Sequence, residues 1–340
     1  MPTYPNAISP GSTEREAALS EAATAALRAP SIFNTQPWQW RITAGAAELR
    51  VDRSRQLPIV DPEGRLATIS CGIALHHLVT ALAAEGWQAE VSRIPDPAEA
   101  ELLARVTLTG RVSSPDLAAV RHYESTLIRH TDRRPFSNTA VPRETVEAVR
   151  GAVEAHGAHL HVVRPDQLVE LILAAGQAAE VEAADPAYRE ELETWTHRPA
   201  AAGDGVPAET AVADVPRRVR VRDFALDNAH RLEAGHDDDS GTVYTVLFTN
   251  GDNRRAWLES GEAMSAALLT AVEHGVSASP MSDLTEVAGT QQALRRILSG
   301  IGEPMLVIRL GISEPATAVP ATPRRSPDEV IERAGEDGGK

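Results

Sequence analysis

The first periodic segment of the chain is rich in alanine and has the apolar spacing of a helix. It starts at Thr13, has Glu16 three residues on, and runs until Pro30 stops it. A Thr followed three residues later by Glu is the capping-box signature of a helix N-terminus. The segments WQWRI and AELRVD then alternate apolar and polar residues, with Trp38 and Trp40 on one face. This alternation predicts a pair of strands after the first helix.

Apolar residues return at helical spacing from Cys71 to Leu82, and Gly86 follows where a glycine commonly ends a helix. His76 and His77 are adjacent here, so their side chains point about 100 degrees apart and cannot chelate one ion. We therefore interpret both histidines as residues of the polar face of the helix. We interpret Cys71 as a small core residue rather than a nucleophile.

This helix has a counterpart later in the chain. The segment GIALHHLVTALAAEG aligns with GEAMSAALLTAVEHG at a constant offset of 189 residues, from Gly72 to Gly261. Each half also has the same order of a helix, a strand, the repeated helix and a closing β segment, which is LLARVTL in the first half and MLVIRLG in the second. This order predicts a duplicated α+β unit. We place the first half at residues 1–118, the second at 119–335 and a frayed tail at 336–340.

The second half is longer because it carries an insertion. Two helical stretches, about 166–181 and 185–195, precede the aperiodic segment HRPAAAGDGVPAETAVADVP, which is rich in Gly, Pro and Ala. Long irregular segments inside compact proteins are commonly lids or disordered, and we predict a lid over about 185–230. The run Asp237–Asp239 lacks the spacing of a calcium loop, so we interpret it as a solvated loop.

Composition and charge narrow the possible functions. Of the 340 residues, 42% are hydrophobic and 24% are charged, which is typical of a globular protein. The net charge of −15 argues against a nucleic-acid partner. The apolar stretches look far shorter than the ~20 residues that span a bilayer, and no signal peptide is visible, so we predict a cytoplasmic protein without a membrane partner. A single cysteine leaves redox chemistry to a bound cofactor.

The sequence lacks the common nucleotide, dinucleotide, esterase and zinc-protease motifs. It does contain a basic segment, RHTDRRPF, in an otherwise acidic chain. Alternate residues of an extended strand project to the same side, so Arg129, Thr131 and Arg133 are expected to converge on one anion. The alternative is an exposed charged turn. A second basic pair, Arg324 and Arg325, suggests that both clusters contribute to a single anion site.

Two loops offer groups suited to a flat heterocycle. In PSIFNTQPW, the side chains of Ser31, Asn34 and Gln36 lie on a turn fixed by Pro30 and Pro37. The alternative is a loop that only caps its own backbone. In GVSASPMS, small residues would let a ring approach the backbone closely, and these are Ser277, Ala278 and Ser279.

Taken together, these segments resemble the nitroreductase-like flavoproteins, and within them the double-length Acg-like FMN-binding proteins of actinobacteria. The resemblance covers most of the chain and rests on APSIFNTQPWQWRI, ISCGIALHHLVTALAAEGW, RHTDRRPF, GDNRRAWLESGEAMSAALLTAVEHGVSASP and PMLVIRLG with PRRSPDEVI. It implies an α+β nitroreductase-like fold, in which two tandem copies form an intramolecular pseudo-dimer with FMN as cofactor.

The resemblance also implies residue roles. The FMN phosphate would be held by Arg129, Thr131, Arg133, Arg324 and Arg325. The ring and ribityl chain would meet Pro30, Ser31, Asn34 and Gln36 across the interface between the halves, and the ring near N5 would meet Ser277, Ala278 and Ser279. Each of these motifs occurs once, so one FMN per chain is implied. No catalytic side chain and no metal are implied, and the family often has His where this chain has Phe33.

Two functions follow from these expectations. The first is an FMN-dependent oxidoreductase that takes electrons from NAD(P)H and reduces a nitro, quinone or other conjugated small molecule, or that acts in natural-product biosynthesis. The second is a flavin-sequestering or storage protein whose lid, over Trp195 to Pro216, closes off the ring. The two functions differ in whether a second planar molecule can reach the flavin ring. The protein would be a monomeric pseudo-dimer or a homodimer of it.

Overall fold

The computed structural model describes residues 11–196, 198–212, 215–224, 232–313 and 319–333. The helices in these residues are α1 (Ser12–Ala26), α2 (Arg65–Ala84), α3 (Leu117–Ile128), α4 (Arg143–Glu154), α5 (Leu168–Ala184), α6 (Pro186–Thr196), α7 (Arg254–Glu273), α8 (Asp283–Glu286), α9 (Ala288–Ile297) and α10 (Pro327–Val330). The strands are β1 (Trp38–Ile42), β2 (Ala46–Val51), β3 (Trp87–Arg93), β4 (Leu102–Arg111), β5 (His159–Val162), β6 (Val243–Thr249), β7 (Ser277–Met281), β8 (Glu303–Gly311) and β9 (Ile331–Arg333).

The strands form two sheets with the same internal topology. The first sheet has the order β3-β4-β2-β1-β9, and the second has the order β7-β8-β6-β5. The first four strands of each half therefore pair in the same order, and all of these pairs are antiparallel. The extra strand β9 lies parallel to β1, with Ile331 opposite Trp40. The end of the chain thus joins the sheet of the first half, although our predicted boundary assigns it to the second half.

The two repeated helices, α2 and α7, pack against each other at the centre. They begin and end at the same 189-residue offset that relates the repeats, and each is 20 residues long. Their backbones touch at two glycines: a Cβ on Gly72 would lie 2.1 Å from the Leu258 carbonyl oxygen, and one on Gly261 would lie 2.1 Å from the Ile69 carbonyl oxygen. The two contacts are equivalent, because Gly261 and Leu258 are the counterparts of Gly72 and Ile69 at the 189-residue offset. This symmetric contact supports the predicted duplication.

The interpretation of two α2 histidines as polar-face residues is wrong. His76 and His77 are both buried, because other helices surround α2 instead of leaving one face to solvent. The Nδ1 atom of His76 lies 2.9 Å from the hydroxyl of Ser265, which occupies the equivalent position in α7. Burial and the neighbouring His156 and His122 keep the pKa of His76 well below its usual value.

Most of the predicted elements are confirmed. The strands at WQWRI, AELRV and HLHV are present, and so are the two helices of the insertion. Gly86 follows the end of α2 with φ of +82°, as expected for a glycine at that position. The predicted capping box is wrong, because α1 begins at Ser12 after Gly11 and no side chain caps it. Thr13 therefore lies inside the first turn.

The expectation that every apolar stretch is too short to span a bilayer is also wrong for α2. This helix is long and apolar enough by length and composition, and it is the one such helix in the described part of the chain. Most of it is buried within the protein, as the core helix of a folded domain is. Cys71 of α2 is buried as predicted, and burial raises the pKa of its thiol. The predicted tail at 336–340 and the N-terminal residues 1–10 lie outside the described residues.

The α2–α7 contact gives a first prediction. The Gly72→Ala substitution should lower the free energy of unfolding by about 2 kcal/mol, because the two backbones must separate to admit a methyl group. Urea unfolding measures this change. A matched control is Gly151→Ala in α4, where nothing lies within 4 Å of the added carbon. That variant should gain about 0.5–1 kcal/mol from higher helix propensity, and equal midpoints for the two variants would contradict the close contact.

Candidate functional site

Two adjoining cavities lie between the two halves of the chain. One is polar and has a volume of about 150 Å³, and the other is mainly apolar and has a volume of about 100 Å³. Both are lined by the four residues at their junction, which are Pro30, Ser31, Thr131 and Arg133. We call the two together the joined cleft, and its two parts the polar cavity and the apolar cavity.

The polar cavity is lined by positive charge. Burial and then Arg324 lower the pKa of Arg129 to about 9, and burial and then Arg28 lower the pKa of Arg324 to about 10. The guanidinium of Arg324 donates to neutral oxygens, including the Asn34 side chain at 3.2 Å. No carboxylate is among the described residues that line this cavity. Buried cations without a counter-charge are costly, so the cavity is suited to an anion.

Two guanidinium atoms of residues that line this cavity lack hydrogen-bond partners among the described residues. The Nε atoms of Arg129 and Arg324 are both buried and make no hydrogen bond within the described part of the chain. The Arg129 guanidinium donates from Nη1 to the Thr131 hydroxyl at the long distance of 3.5 Å. Because buried polar groups in folded proteins are nearly always bonded, these atoms point to a missing ligand.

Arg133 differs from the other predicted anion contacts. It lines both cavities, and its guanidinium lies 4.5 Å from the ring centre of Phe224. Burial and then Arg222 lower its pKa to about 10. The cation that lowers the pKa of Arg133 is thus Arg222 of the insertion, whereas Asp132 raises it. The structure does not bring all predicted basic residues to one point.

A fully buried ion pair fixes the basic segment in place. Arg309 on β8 donates from Nη1 to both oxygens of Asp239 at 3.0 Å, and from Nη2 to the carbonyls of Asp132 at 2.9 Å and Arg134 at 2.8 Å. Asp239 also accepts a hydrogen bond from the Phe136 amide at 2.7 Å. The interpretation of Asp239 as part of a solvated loop is therefore wrong, since this carboxylate is completely buried.

The loop after α1 has a strained backbone. Three residues that are not glycine have positive φ angles, +46° at Phe33, +53° at Asn34 and +50° at Gln36. Such residues cost about 1–3 kcal/mol each and persist where the surroundings enforce them. Ser31 helps to do so, because its hydroxyl accepts the Gln36 amide at 2.9 Å. This bond agrees with the alternative that the loop caps its own backbone, although Pro30, Ser31 and Asn34 also line the polar cavity.

Two predicted ligand contacts serve this loop instead. The Gln36 side chain is fully buried and donates to the Gly203 carbonyl at 2.8 Å, while its oxygen accepts the Arg325 amide at 3.0 Å. The guanidinium of Arg325 donates to the carbonyls of Gln36 at 3.3 Å and Glu329 at 3.2 Å. Neither side chain lines the joined cleft. Both side chains bond to protein atoms, and these bonds hold the loop and the end of the chain together.

The three predicted small residues on β7 also fall beside the joined cleft rather than on it. Ala278 bridges to the basic segment, Ser277 bonds another serine hydroxyl at 2.8 Å, and Ser279 is buried against a smaller neighbouring cavity. The residues that line the apolar cavity come just after them in the chain, at Pro280 and Ser282. The prediction identified the correct strand, but the residues that line the cavity lie a few positions later in the chain than the predicted ones.

Residues of the insertion line the joined cleft, and its role as a lid stays a prediction. The Asn34 side chain donates to the Gly205 carbonyl at 3.0 Å. The ring of Phe224 meets that of Phe33 edge to face at 5.7 Å, and the Arg222 guanidinium lies 4.9 Å from the Phe33 ring. Residues 197, 213–214 and 225–230 of the predicted lid lie outside the described residues.

Arg222 anchors the insertion to an acidic cluster. It donates to Glu182 at 2.9 Å and to Glu286 at 2.6 Å, and all three side chains are buried. Burial raises the pKa of Glu286, and it raises the pKa of the nearby Asp283 to about 6. One guanidinium thus faces three carboxyl groups here.

The two halves differ at a position that lines the apolar cavity in the first half. Ile73 of α2 lines the apolar cavity, and the residue 189 positions later is Glu262 of α7. Glu262 is buried and accepts two hydrogen bonds from Arg93, at 2.6 and 2.9 Å. The second half thus has an ion pair where the first half has an apolar wall of the cavity, which agrees with one site per chain.

The residues of the joined cleft that were not predicted include Arg28, His130, Arg222, Phe224 and Met264. Arg28 and His130 adjoin the predicted motifs, so closer attention to their neighbours would have found them. Arg222 and Phe224 lie in an aperiodic segment that carries no local signal. Met264 was visible only as an apolar position of the repeat.

Comparisons with known proteins agree on one family. The model of the Nitroreductase family matches residues 127–312. A putative NAD(P)H nitroreductase of Mycobacterium tuberculosis is 36% identical over 312 residues, which cover 91% of this chain and 89% of the relative. An uncharacterized protein of the same organism is 36% identical and covers 92% of each chain. A third relative there, a putative NAD(P)H nitroreductase named acg, is 31% identical over 92% of this chain and 95% of its own.

Solved structures with a similar arrangement have low sequence identity. An FMN-dependent nitroreductase of Mycobacterium smegmatis, solved in complex with NADPH, is 17% identical and covers 63% of this chain and 97% of its own, with a TM-score of 0.40. A nitroreductase of Bacteroides fragilis with bound FMN is 12% identical and covers 60% and 95%, with a TM-score of 0.38.

The Arg309–Asp239 pair gives a second prediction. The Arg309→Met substitution should lower the free energy of unfolding by about 3–5 kcal/mol, because it leaves a buried carboxylate without its cation. The control is Arg296→Met, whose side chain is 59% exposed in its pair with Glu170. That exposed pair should contribute about 0–1 kcal/mol. Similar losses in the two variants, measured by urea unfolding, would contradict the role of the buried pair.

Proposed function

The chain belongs to the nitroreductase family, and from this membership we propose that it is an oxidoreductase that binds FMN in the joined cleft. The observation that carries the proposal is the pair of buried, incompletely bonded guanidiniums in the polar cavity, next to an apolar cavity. FMN combines a phosphate with a flat, largely apolar ring, so one molecule matches both parts. The residues present therefore fit this cofactor.

We assign the phosphate to Arg129, Thr131 and Arg324, because these line the polar cavity and lack a counter-anion. A charge-assisted bond from a guanidinium to a phosphate is stronger than one between neutral groups. Pro30, Ser31 and Asn34 would meet the sugar chain or ring at the entrance. Arg133 lies at the junction of the cavities and would place positive charge beside the ring.

The apolar cavity would hold the ring between the two halves. Ile69 and Ile73 of α2 form one wall, and Met264 of α7 and Pro280 of β7 contribute others. Bound FMN supplies the hydride and electron transfer itself. The chain's own part is to bind, orient and shield the ring, so no side-chain acid or base is assigned.

NAD(P)H is the proposed electron donor, and a nitro, quinone or other conjugated small molecule is the proposed acceptor. A role in natural-product biosynthesis belongs to the same proposal. One FMN per chain is proposed, in a monomeric pseudo-dimer or a homodimer of it. Location in the cytoplasm stays a prediction from the sequence.

A second candidate function is flavin sequestration. The observation that favours it is the contact of Phe224 and Arg222 with Phe33 at the apolar cavity. A lid in this position would keep a nicotinamide away from the ring. Hydride transfer requires the two rings to stack, so the position of the lid decides between the two functions.

A third prediction tests the phosphate assignment. The Arg129→Met substitution should weaken FMN binding by about 10- to 100-fold, because a hydrogen bond to a charged group contributes roughly 1.5–3 kcal/mol. Riboflavin, which lacks the phosphate, should bind the variant and the wild type equally. Fluorescence titration with both ligands gives the comparison. A parallel loss of riboflavin and FMN binding would place Arg129 elsewhere than at the phosphate.

A fourth prediction separates the two functions. In the absence of oxygen, NADH or NADPH should bleach the flavin absorbance of the FMN-loaded protein within seconds, and a nitro compound or quinone should restore it. Dithionite serves as the control, because it reduces flavin without stacking on the ring. A flavin that bleaches with dithionite but stays yellow with both nicotinamides would favour sequestration.

A further inference from the structure

The polar cavity has more positive charge than one phosphate balances. Its described lining contains four arginines and no carboxylate, and the arginines are Arg28, Arg129, Arg133 and Arg324. A phosphate monoester brings a charge of about −1.5 to −2 at pH 7. One FMN therefore leaves about two of these positive charges without an anion. This excess occurs in a chain whose net charge is −15.

Part of the excess lies at the mouth of the cavity. Arg28 and His130 line the polar cavity and are exposed to solvent, whereas Arg129 is buried behind them. The Arg28 carbonyl accepts a hydrogen bond from Nη2 of Arg324 at 3.1 Å, and His130 follows Arg129 in the chain. We call Arg28 and His130 the outer pair. Each of its members adjoins one of the two arginines assigned to the FMN phosphate.

The side chains of the outer pair have no partner within the described part of the chain, because neither makes a hydrogen bond or an ion pair there. Other exposed arginines of this acidic chain do pair. Arg105 bonds to Glu48 at 2.7 Å, and Arg296 bonds to Glu170 at 2.6 Å. The Arg28 guanidinium is thus left free for an anion at a place where the described residues supply no carboxylate.

His130 contributes a hydrogen-bond donor rather than a charge. Partial burial, then Arg129 and Arg324, lower the pKa of His130 below its usual value, although Asp132 opposes them. The imidazole is therefore neutral at pH 7.5, and a neutral imidazole carries one N–H donor. A phosphate oxygen accepts such a bond.

The mouth of the polar cavity also has an apolar rim. Leu127, Val319 and Pro320 line the cavity beside the outer pair, and Leu127 is 44% exposed. An apolar rim next to a free guanidinium suits a molecule that carries a flat ring close to an anionic group. The adenosine diphosphate part of NADH and NADPH has this composition.

The charge and the path of the cleft agree with such a donor. Each phosphodiester-like group of a diphosphate carries one negative charge, so the donor brings the two charges that FMN leaves over. The polar and apolar cavities meet at Ser31 and Arg133. A donor whose nicotinamide reaches the apolar cavity therefore has its diphosphate on the polar side, towards the mouth.

We propose that Arg28 and His130 form a subsite for the diphosphate of the nicotinamide dinucleotide donor, beside the phosphate of FMN. The inference rests on the proposed binding of FMN and names residues that recognise the donor. Arg28 supplies the charge, His130 the hydrogen bond, and the rim around Leu127 the surface for adenine. Because NADH and NADPH share the diphosphate, the subsite serves both.

The test is calorimetric titration of the full-length, FMN-loaded protein with ADP-ribose, which contains the adenosine diphosphate of the donor but no nicotinamide. The measurement reports binding without any turnover. Arg28→Met should weaken ADP-ribose binding by about five- to tenfold, and His130→Ala by about threefold, because each removes a bond to a charged group. Adenosine, which has no phosphate, should bind the wild type and Arg28→Met equally.

Arg121→Met is the matched control, because Arg121 is an exposed arginine of α3 that does not line the polar cavity. It removes the same charge from the chain and should leave ADP-ribose binding unchanged. The FMN affinity of Arg28→Met should stay within about twofold of wild type, since Arg129 and Arg324 keep the FMN phosphate and exposed charges interact weakly.

Several results would overturn the inference. These are wild-type protein that binds FMN but not ADP-ribose, equal losses in Arg28→Met and Arg121→Met, and a loss in Arg28→Met that affects NADPH but not NADH. The last result would place the 2′-phosphate at the outer pair instead of the diphosphate. A protein that binds no FMN contradicts the proposed function itself, on which the subsite rests.

Titration of the apoprotein with FAD excludes a different source of the same diphosphate. FAD extends FMN by an adenylate group, so its second phosphate lies next to the first. If the diphosphate belongs to the donor, Arg28→Met should leave the ratio of FAD to FMN affinity unchanged. A selective loss of FAD binding in this variant would assign the outer pair to the flavin and overturn the role in donor binding.

Discussion

The contact between Gly72 and Gly261 is the constraint on which the rest of the structure depends. Two helices can approach this closely only where neither has a side chain. The contact sets the distance between the halves, and the joined cleft is built across that interface. Ile73 comes from one helix and Met264 from the other, so any separation of the helices would open the apolar cavity. A packing requirement between two helices thus determines the geometry of the site.

The features that could be predicted from the sequence depend on local spacing. Helical periodicity, strand alternation and a fixed repeat offset are properties of consecutive residues, so the elements and the repeated helix could be read directly. The burial of His76 and His77 could not, because a polar face is assigned on the assumption that a helix has one side in water. A helix enclosed between two halves has no such side. Asp239 was misinterpreted because its partner Arg309 is 70 residues away.

The same limit explains the corrections within the site. The predicted residues were drawn from the correct segments, but a motif does not determine which side chains face a ligand and which support the loop. Gln36 and Arg325 use their polar atoms on each other and on the backbone. Their bonds hold a loop with three strained residues in place, and that loop carries Ser31 and Asn34 to the polar cavity. Supporting residues are thus as necessary to the site as the residues that line it.

The polar cavity and the segment around Arg222 have opposite excesses of charge in the interior. The polar cavity has buried guanidiniums without carboxylates, whereas Arg222 faces three carboxyl groups. Protons can balance the acidic cluster, since burial raises the pKa of Asp283 and Glu286, but arginine does not readily lose its proton. The basic cluster can therefore be balanced only from outside, by an anion. The polar cavity is thus suited to a negatively charged ligand, although the protein as a whole is acidic. Binding of an anion there should stabilise the folded chain.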